Sequence, residues 1–105
     1  MTAAERVARG AVLLDEKRPG WPYQIDLSML ELWDSCRCVL GQLWDDEDAV
    51  LPAYWDGLDA LGISDAPAQF GFTILAPGRD DEDAAWAELD ELWIAEIRRR
   101  TAVPA

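Results

Sequence analysis

Residues 80–100, DDEDAAWAELDELWIAEIRRR, decide the fold class. Asp80, Asp81, Glu82 and Asp83 place negative charge where a helix leaves its first N–H groups unpaired. Arg98, Arg99 and Arg100 place positive charge where it leaves its last carbonyls, so both ends complement the helix dipole. Between them Trp86, Leu89, Leu92, Trp93 and Ile97 recur at three- and four-residue spacing and make one apolar face, with Glu88, Asp90, Glu91 and Glu96 mainly outside it. The pattern predicts a helix starting near residue 81 and ending in the arginines.

Working back along the chain, the same period returns. Thr2-Ala3-Ala4-Glu5 fits a capping box, and Val7, Ala11 and Leu14, with Leu13 beside them, give a helical stripe running to Lys17 before Arg18-Pro19-Gly20 ends it. Asp34 or Ser35 suits the cap of a second helix in which Cys36, Val39, Leu40, Leu43 and Trp44 share a face. Leu51, Tyr54 or Trp55, Leu58 and Leu61 make a third stripe, with Pro52 in its first turn and Gly62 in the position that favours left-handed backbone. The remainder is more punctuated. Trp21 and Tyr23 read as aromatics laid over the core from an extended segment, residues 65–70 as one or two helical turns, and Phe72-Thr73-Ile74-Leu75 as a strand. Leu27–Trp33 satisfies both the helical and the alternating period and is read as a short turn or a strand that pairs with 72–75. The fold class expected is mainly α: three to four helices around a Trp/Leu core, with at most a small two-stranded β element, in one α-rich domain over residues 1–105.

Composition bounds what such a domain does. The 105 residues hold 21 Asp+Glu, 9 Lys+Arg and no His, a formal net charge of −12, yet half are hydrophobic and six are Trp. Disordered acidic chains lack that apolar stock, and one packed unit of this length should have a radius of gyration of about 13 Å. No apolar run approaches the roughly 18 residues of a membrane span, and the sign of the charge opposes direct binding to nucleic acid. Without His there is no Ser-His-Asp or Cys-His pair and no imidazole metal ligand. Two cysteines are too few for the disulfide framework of a small secreted domain, and the start reads as helix rather than export signal, so a cytoplasmic setting is expected. Eight Arg to one Lys points weakly to GC-rich coding and a bacterial cell.

The charge is uneven. Residues 1–33 sum to −1 and residues 97–105 to +3, whereas residues 34–96 hold 16 acidic and 2 basic residues, a net −14. Solubility and helix capping account for such charge by themselves. The functional alternative is a surface complementary to a basic partner, by electrostatic steering or by imitating the charge of nucleic-acid phosphates. Two four-residue runs are too short to mimic a duplex alone, so mimicry depends on convergence in the fold.

Other chemistry is thin. Cys36-Arg37-Cys38 lacks a second ligand pair, and residues two apart on a helix do not face each other, which favours buried structural cysteines over a redox thiol or metal ligand. Asp45–Asp48 and Asp80–Asp83 offer oxygen ligands without the order of a calcium loop, so no metal and no cofactor is expected. Gly41 and Gly57 read as sites of close helix packing. Six Trp exceed what a small core readily hides, and Trp44 and Trp55 are the candidates for an exposed anchor.

Pro19-Gly20-Trp21, Ile25-Asp26-Leu27, Cys38-Val39-Leu40-Gly41-Gln42-Leu43, Tyr54-Trp55-Asp56-Gly57-Leu58, Leu61-Gly62 and Gly71-Phe72 together resemble a family of small acidic proteins of actinobacteria and actinobacteriophages. CVLGQL is the most specific of these, and residues 45–52 lengthen the connection that follows it. The resemblance implies a phage or prophage origin and carries no activity.

The function expected is that of a non-enzymatic binding protein. It would engage, and inhibit, a basic host protein, a nucleic-acid-binding one among the candidates, through Trp44, Asp45, Asp46, Glu47, Asp48, Trp55, Asp56, Asp59, Asp80, Asp81, Glu82 and Asp83. The alternative is an accessory or assembly protein acting as a homo-oligomer through exposed apolar surface.

Overall fold

The computed structural model describes residues 2–45, 53–74 and 82–102. Asp46, Glu47, Asp48, Asp80 and Asp81, and with them Leu51, Pro52 and Leu75, lie outside the described residues. The protein is mainly α. Helices α1 (Ala3–Lys17), α2 (Val39–Leu43), α3 (Ala53–Leu61) and α4 (Glu82–Thr101) alternate with 3-10 turns at Trp21–Gln24, Leu27–Met29 and Pro67–Phe70. The radius of gyration over Cα atoms is 13.2 Å.

α1 begins where the capping box places it: Thr2 Oγ1 accepts from the Glu5 N–H at 3.1 Å, satisfying one of the donors a helix start leaves orphaned. Its inner face, Val7, Gly10, Ala11 and Leu14, is buried against α4 and against the Pro67–Phe70 turn. α2 packs on α3, and at Gly57 an added Cβ would sit 2.9 Å from Leu40 Cβ and 3.0 Å from the Trp44 ring, so this glycine serves close helix packing. Gly62 follows α3 with φ +73°, the left-handed conformation expected after the last turn.

The core is one cluster in which Trp93 is central. Its ring stacks on Phe72 at 5.1 Å between centroids, meets Trp21 edge-on at 5.9 Å, and its indole N–H donates to the Gly71 carbonyl at 2.7 Å. Both aromatic arrangements suit the ring quadrupole, and the buried indole donor has its acceptor.

The CVLGQL motif acquires a physical meaning. Cys38 Sγ accepts from the Gly41 N–H at 3.2 Å and caps α2, while Val39, Leu40 and Leu43 enter the core. Gln42 clamps two loops together: its Oε1 accepts from Asp26 N at 2.7 Å, and its Nε2 donates to the Arg37 carbonyl at 2.9 Å and the Asp26 carbonyl at 3.2 Å.

Several sequence expectations are corrected. No strand occurs among the described residues. The Asp26 carboxylate accepts from Ser28 N at 3.0 Å and holds Leu27–Met29 as a 3-10 turn, while Phe72, its N–H donating to the Pro67 carbonyl at 3.2 Å, fills the core as a plug on Trp93. α2 starts three residues later than Cys36, because the Asp34 carboxylate accepts from Cys36 N at 2.8 Å and from Arg37 N at 3.2 Å and fixes a separate turn there. That turn leaves Cys36 exposed, so only Cys38 is a buried structural cysteine. Trp21 is fully buried from a 3-10 turn, whereas Tyr23 is 74% exposed and reaches α4 only through its hydroxyl, which donates to the Arg100 carbonyl at 3.3 Å.

Glu96, expected outside the apolar face of α4, is 9% exposed. It is held by the guanidinium groups of Arg99 and Arg100. Arg100 also grips Asp15, its Nη2 reaching Oδ2 at 3.0 Å and its Nε reaching Oδ1 at 3.1 Å, and Trp21 Nε1 donates to the same Asp15 Oδ1 at 2.9 Å. Asp15 is thereby held below the ordinary carboxylate range, by the Arg100 hydrogen bonds above all. A carboxylate with a lowered folded pKa adds stability that is complete above its unfolded value and is lost as pH falls through the folded one. Relative to Asp15→Asn, the natural chain should therefore keep a higher melting temperature from neutral pH down to about pH 4, and the gap should close below that. A gap that is constant or widens with acid, followed by circular dichroism, contradicts this role.

Candidate functional site

The chain between Leu30 and Arg37 is folded so that alternate side chains separate. Leu30 and Leu32 turn into the core, and Trp33 turns outward with 62% of its surface exposed. The segment is pinned from α4: Asp90 Oδ1 accepts from the Leu32 N–H at 2.7 Å. Desolvation in this position raises the Asp90 pKa, opposed by that same hydrogen bond.

Trp33 thus stands between two cavities that share it and Trp86. One, of about 480 Å³, is walled by the first turns of α4 through Glu82, Asp83, Trp86, Ala87 and Asp90. The other, of about 500 Å³, is walled by Tyr54 and Trp55 from α3, with Phe72 and Thr73 at its base. Trp55 is 50% exposed and meets Tyr54 edge-on at 5.1 Å. Burial pushes the Tyr54 hydroxyl up to about 12, so it stays protonated as a donor. The result is a continuous groove of three Trp and one Tyr, with carboxylates along one wall.

Of the expected site residues, this groove gathers Trp55, Glu82 and Asp83. Asp56 and Asp59 lie on α3, half-buried and exposed respectively, without lining it. Trp44 is half-buried at the end of α2, where the Arg18 guanidinium lies 4.6 Å from its ring centroid, and exposed Asp45 follows it; neither lines the groove. Trp33, Trp86 and Asp90 were not among the expected site residues. Trp86 carried a signal: it is the first apolar residue of the α4 stripe, one turn beyond the last fully buried position, Leu89.

The remaining chemistry is structural. Burial raises the Cys38 thiol to about 11, leaving it a protonated cap rather than a nucleophile. Among the described residues no group of three His, Cys, Asp or Glu could hold a metal ion, and no helix is long and apolar enough to cross a membrane. No family model, curated protein or solved structure matches the chain.

Proposed function

We propose that the protein is a non-enzymatic acidic binding protein that engages a basic segment of a host protein in the Trp33–Trp55–Trp86 groove and inhibits that partner by covering it. The observation that supports this reading is the pairing of Trp33 and Trp86 with Glu82 and Asp83 in one cavity, adjoining the cavity that holds Trp55. Trp rings attract guanidinium and ammonium groups through their negative faces, and carboxylates beside them supply the counter-charge. The chain's own packing uses that chemistry repeatedly, with Arg9 over Phe70, Arg18 over Trp44 and Arg100 over Trp21.

The net −14 of residues 34–96 would steer such a partner from a distance. A partner that normally binds nucleic acid would meet in this field a substitute for phosphate charge, and the phage or prophage origin suggested by CVLGQL supplies the host setting.

Tryptophan fluorescence titrated with a peptide carrying arginine, lysine and leucine tests the proposal. Saturable binding that weakens with salt is expected, with Trp33→Ala and Trp55→Ala each lowering affinity about tenfold or more, as interface anchors do. Binding that ignores both tryptophans, or no binding at low salt, defeats it. For a partner captured from the host, competition by duplex DNA distinguishes a nucleic-acid-binding target from other basic proteins.

A further inference from the structure

α1 is apolar over more of its circumference than its packing uses. Away from that buried face, Ala8 and Val12 meet Leu13 and Phe70, both partly buried against the core, around a shallow cavity of about 400 Å³, flanked by Arg9 and Glu16. Val12 is 51% exposed at its centre. This surface shares no residue with the groove.

We propose that this face docks a second copy of the chain, α1 against α1 in antiparallel register; the inference goes beyond the binding function above and stands without it. Charge selects the occupant. A second copy also carries −12, and most of the surface would repel it. Residues 3–18 are the exception, with Glu5, Asp15 and Glu16 against Arg6, Arg9, Lys17 and Arg18.

The order of residues along the face selects the register. Arg9, then Val12 and Leu13, then Glu16 run positive, apolar, negative. A two-fold axis passing between Val12 and Leu13 brings Arg9 of each copy against Glu16 of the other and packs Val12 on Leu13, the self-complementarity an isologous interface requires. Arg9 and Glu16 are two helical turns apart, so both ion pairs close at once around the apolar centre. A parallel pairing would instead set Arg9 against Arg9. One helix pair with a flanking Phe70 lies below the roughly 1,200 Å² of a standard interface, so association is weak and concentration-dependent. Its consequence is bivalency, two grooves on one particle.

Light scattering and sedimentation of the natural chain over a wide concentration range should show a monomer–dimer equilibrium. Val12→Asp should abolish the dimer with the helical signal and melting temperature retained. Arg9→Glu and Glu16→Arg should each weaken it about tenfold, by turning two attractive pairs into repulsive ones. The combined Arg9→Glu/Glu16→Arg chain should recover it, because the exchanged pairs match again. Circular dichroism of each variant separates loss of docking from loss of folding, and Glu16→Arg keeps the test open if Arg9→Glu disturbs the contact with Phe70. A natural chain that stays monomeric, a dimer indifferent to Val12→Asp, or a folded double variant no tighter than the single ones overturns the proposal.

Discussion

Trp93→Ala should cost about 3–5 kcal/mol of stability, the largest loss expected from any single truncation in the chain. The residue is fully buried and touches two aromatic partners at once, Phe72 face to face and Trp21 edge-on. Truncation opens a cavity between α4 and the segments holding those rings, and strands the Gly71 carbonyl that accepts from the indole. A small domain has about 5–15 kcal/mol in total, so the variant should unfold at far lower urea and lose its near-ultraviolet circular dichroism. Trp93→Phe should lose about 1–3 kcal/mol, since a ring remains but the donor does not. Similar midpoints for the two variants, or a Trp93→Ala midpoint close to the natural one, would mean that the core does not hinge on this ring.

Gly10→Ala should also destabilise, by about 2 kcal/mol or more, although alanine is the better helix former by about 1 kcal/mol. An added methyl would overlap the Phe70 carbonyl oxygen and come within 3.1 Å of two Trp93 ring atoms. The oxygen belongs to backbone and the ring is locked by its own hydrogen bond, so neither neighbour can step aside without moving α1 off the turn and off α4. Gly20→Ala is the informative comparison. Gly20 has φ +86° and no neighbour within 4 Å of an added Cβ, so only backbone strain opposes the change, at about 1–2 kcal/mol. Denaturant midpoints should rank the natural chain first, then Gly20→Ala, then Gly10→Ala. The reverse order would show that helix packing at Gly10 is looser than the geometry implies.

Legibility in the sequence followed the range of the interaction. Elements set by local rules were readable: the Thr2 cap, the left-handed Gly62 and the charge-complemented α4 each depend on residues within a turn or two of each other. Other elements depend also on partners far away in sequence, although the late start of α2 is set locally by Asp34. Leu27–Trp33, read as a turn or a strand, holds a 3-10 turn; it satisfied two periods because neither governs it, its course being fixed by Asp26, by Gln42 and, across 58 residues, by Asp90. Phe72–Ile74 has strand-like composition, yet its aromatic side chain is taken by Trp93. Glu96 looked like surface because its cations include Arg100, which must also reach Asp15. For the same reason the acidic runs suggested a charged surface but did not indicate the groove, since Trp33 and Trp86 meet only once the 30–37 segment is tied to α4.

The tie between Asp15 and Arg100 also governs when the protein can finish folding. It joins residues 85 positions apart, and the side chains that close the core, Trp93 and Ile97, sit in the same helix as Arg100. During synthesis α1 can form locally, but until α4 follows its buried face has only the Pro67–Phe70 turn and Gly71 to cover it. Over that interval the side of α1 that faces α4 is open to water and to other chains. Closure of that side against α4 is therefore a late, long-range step.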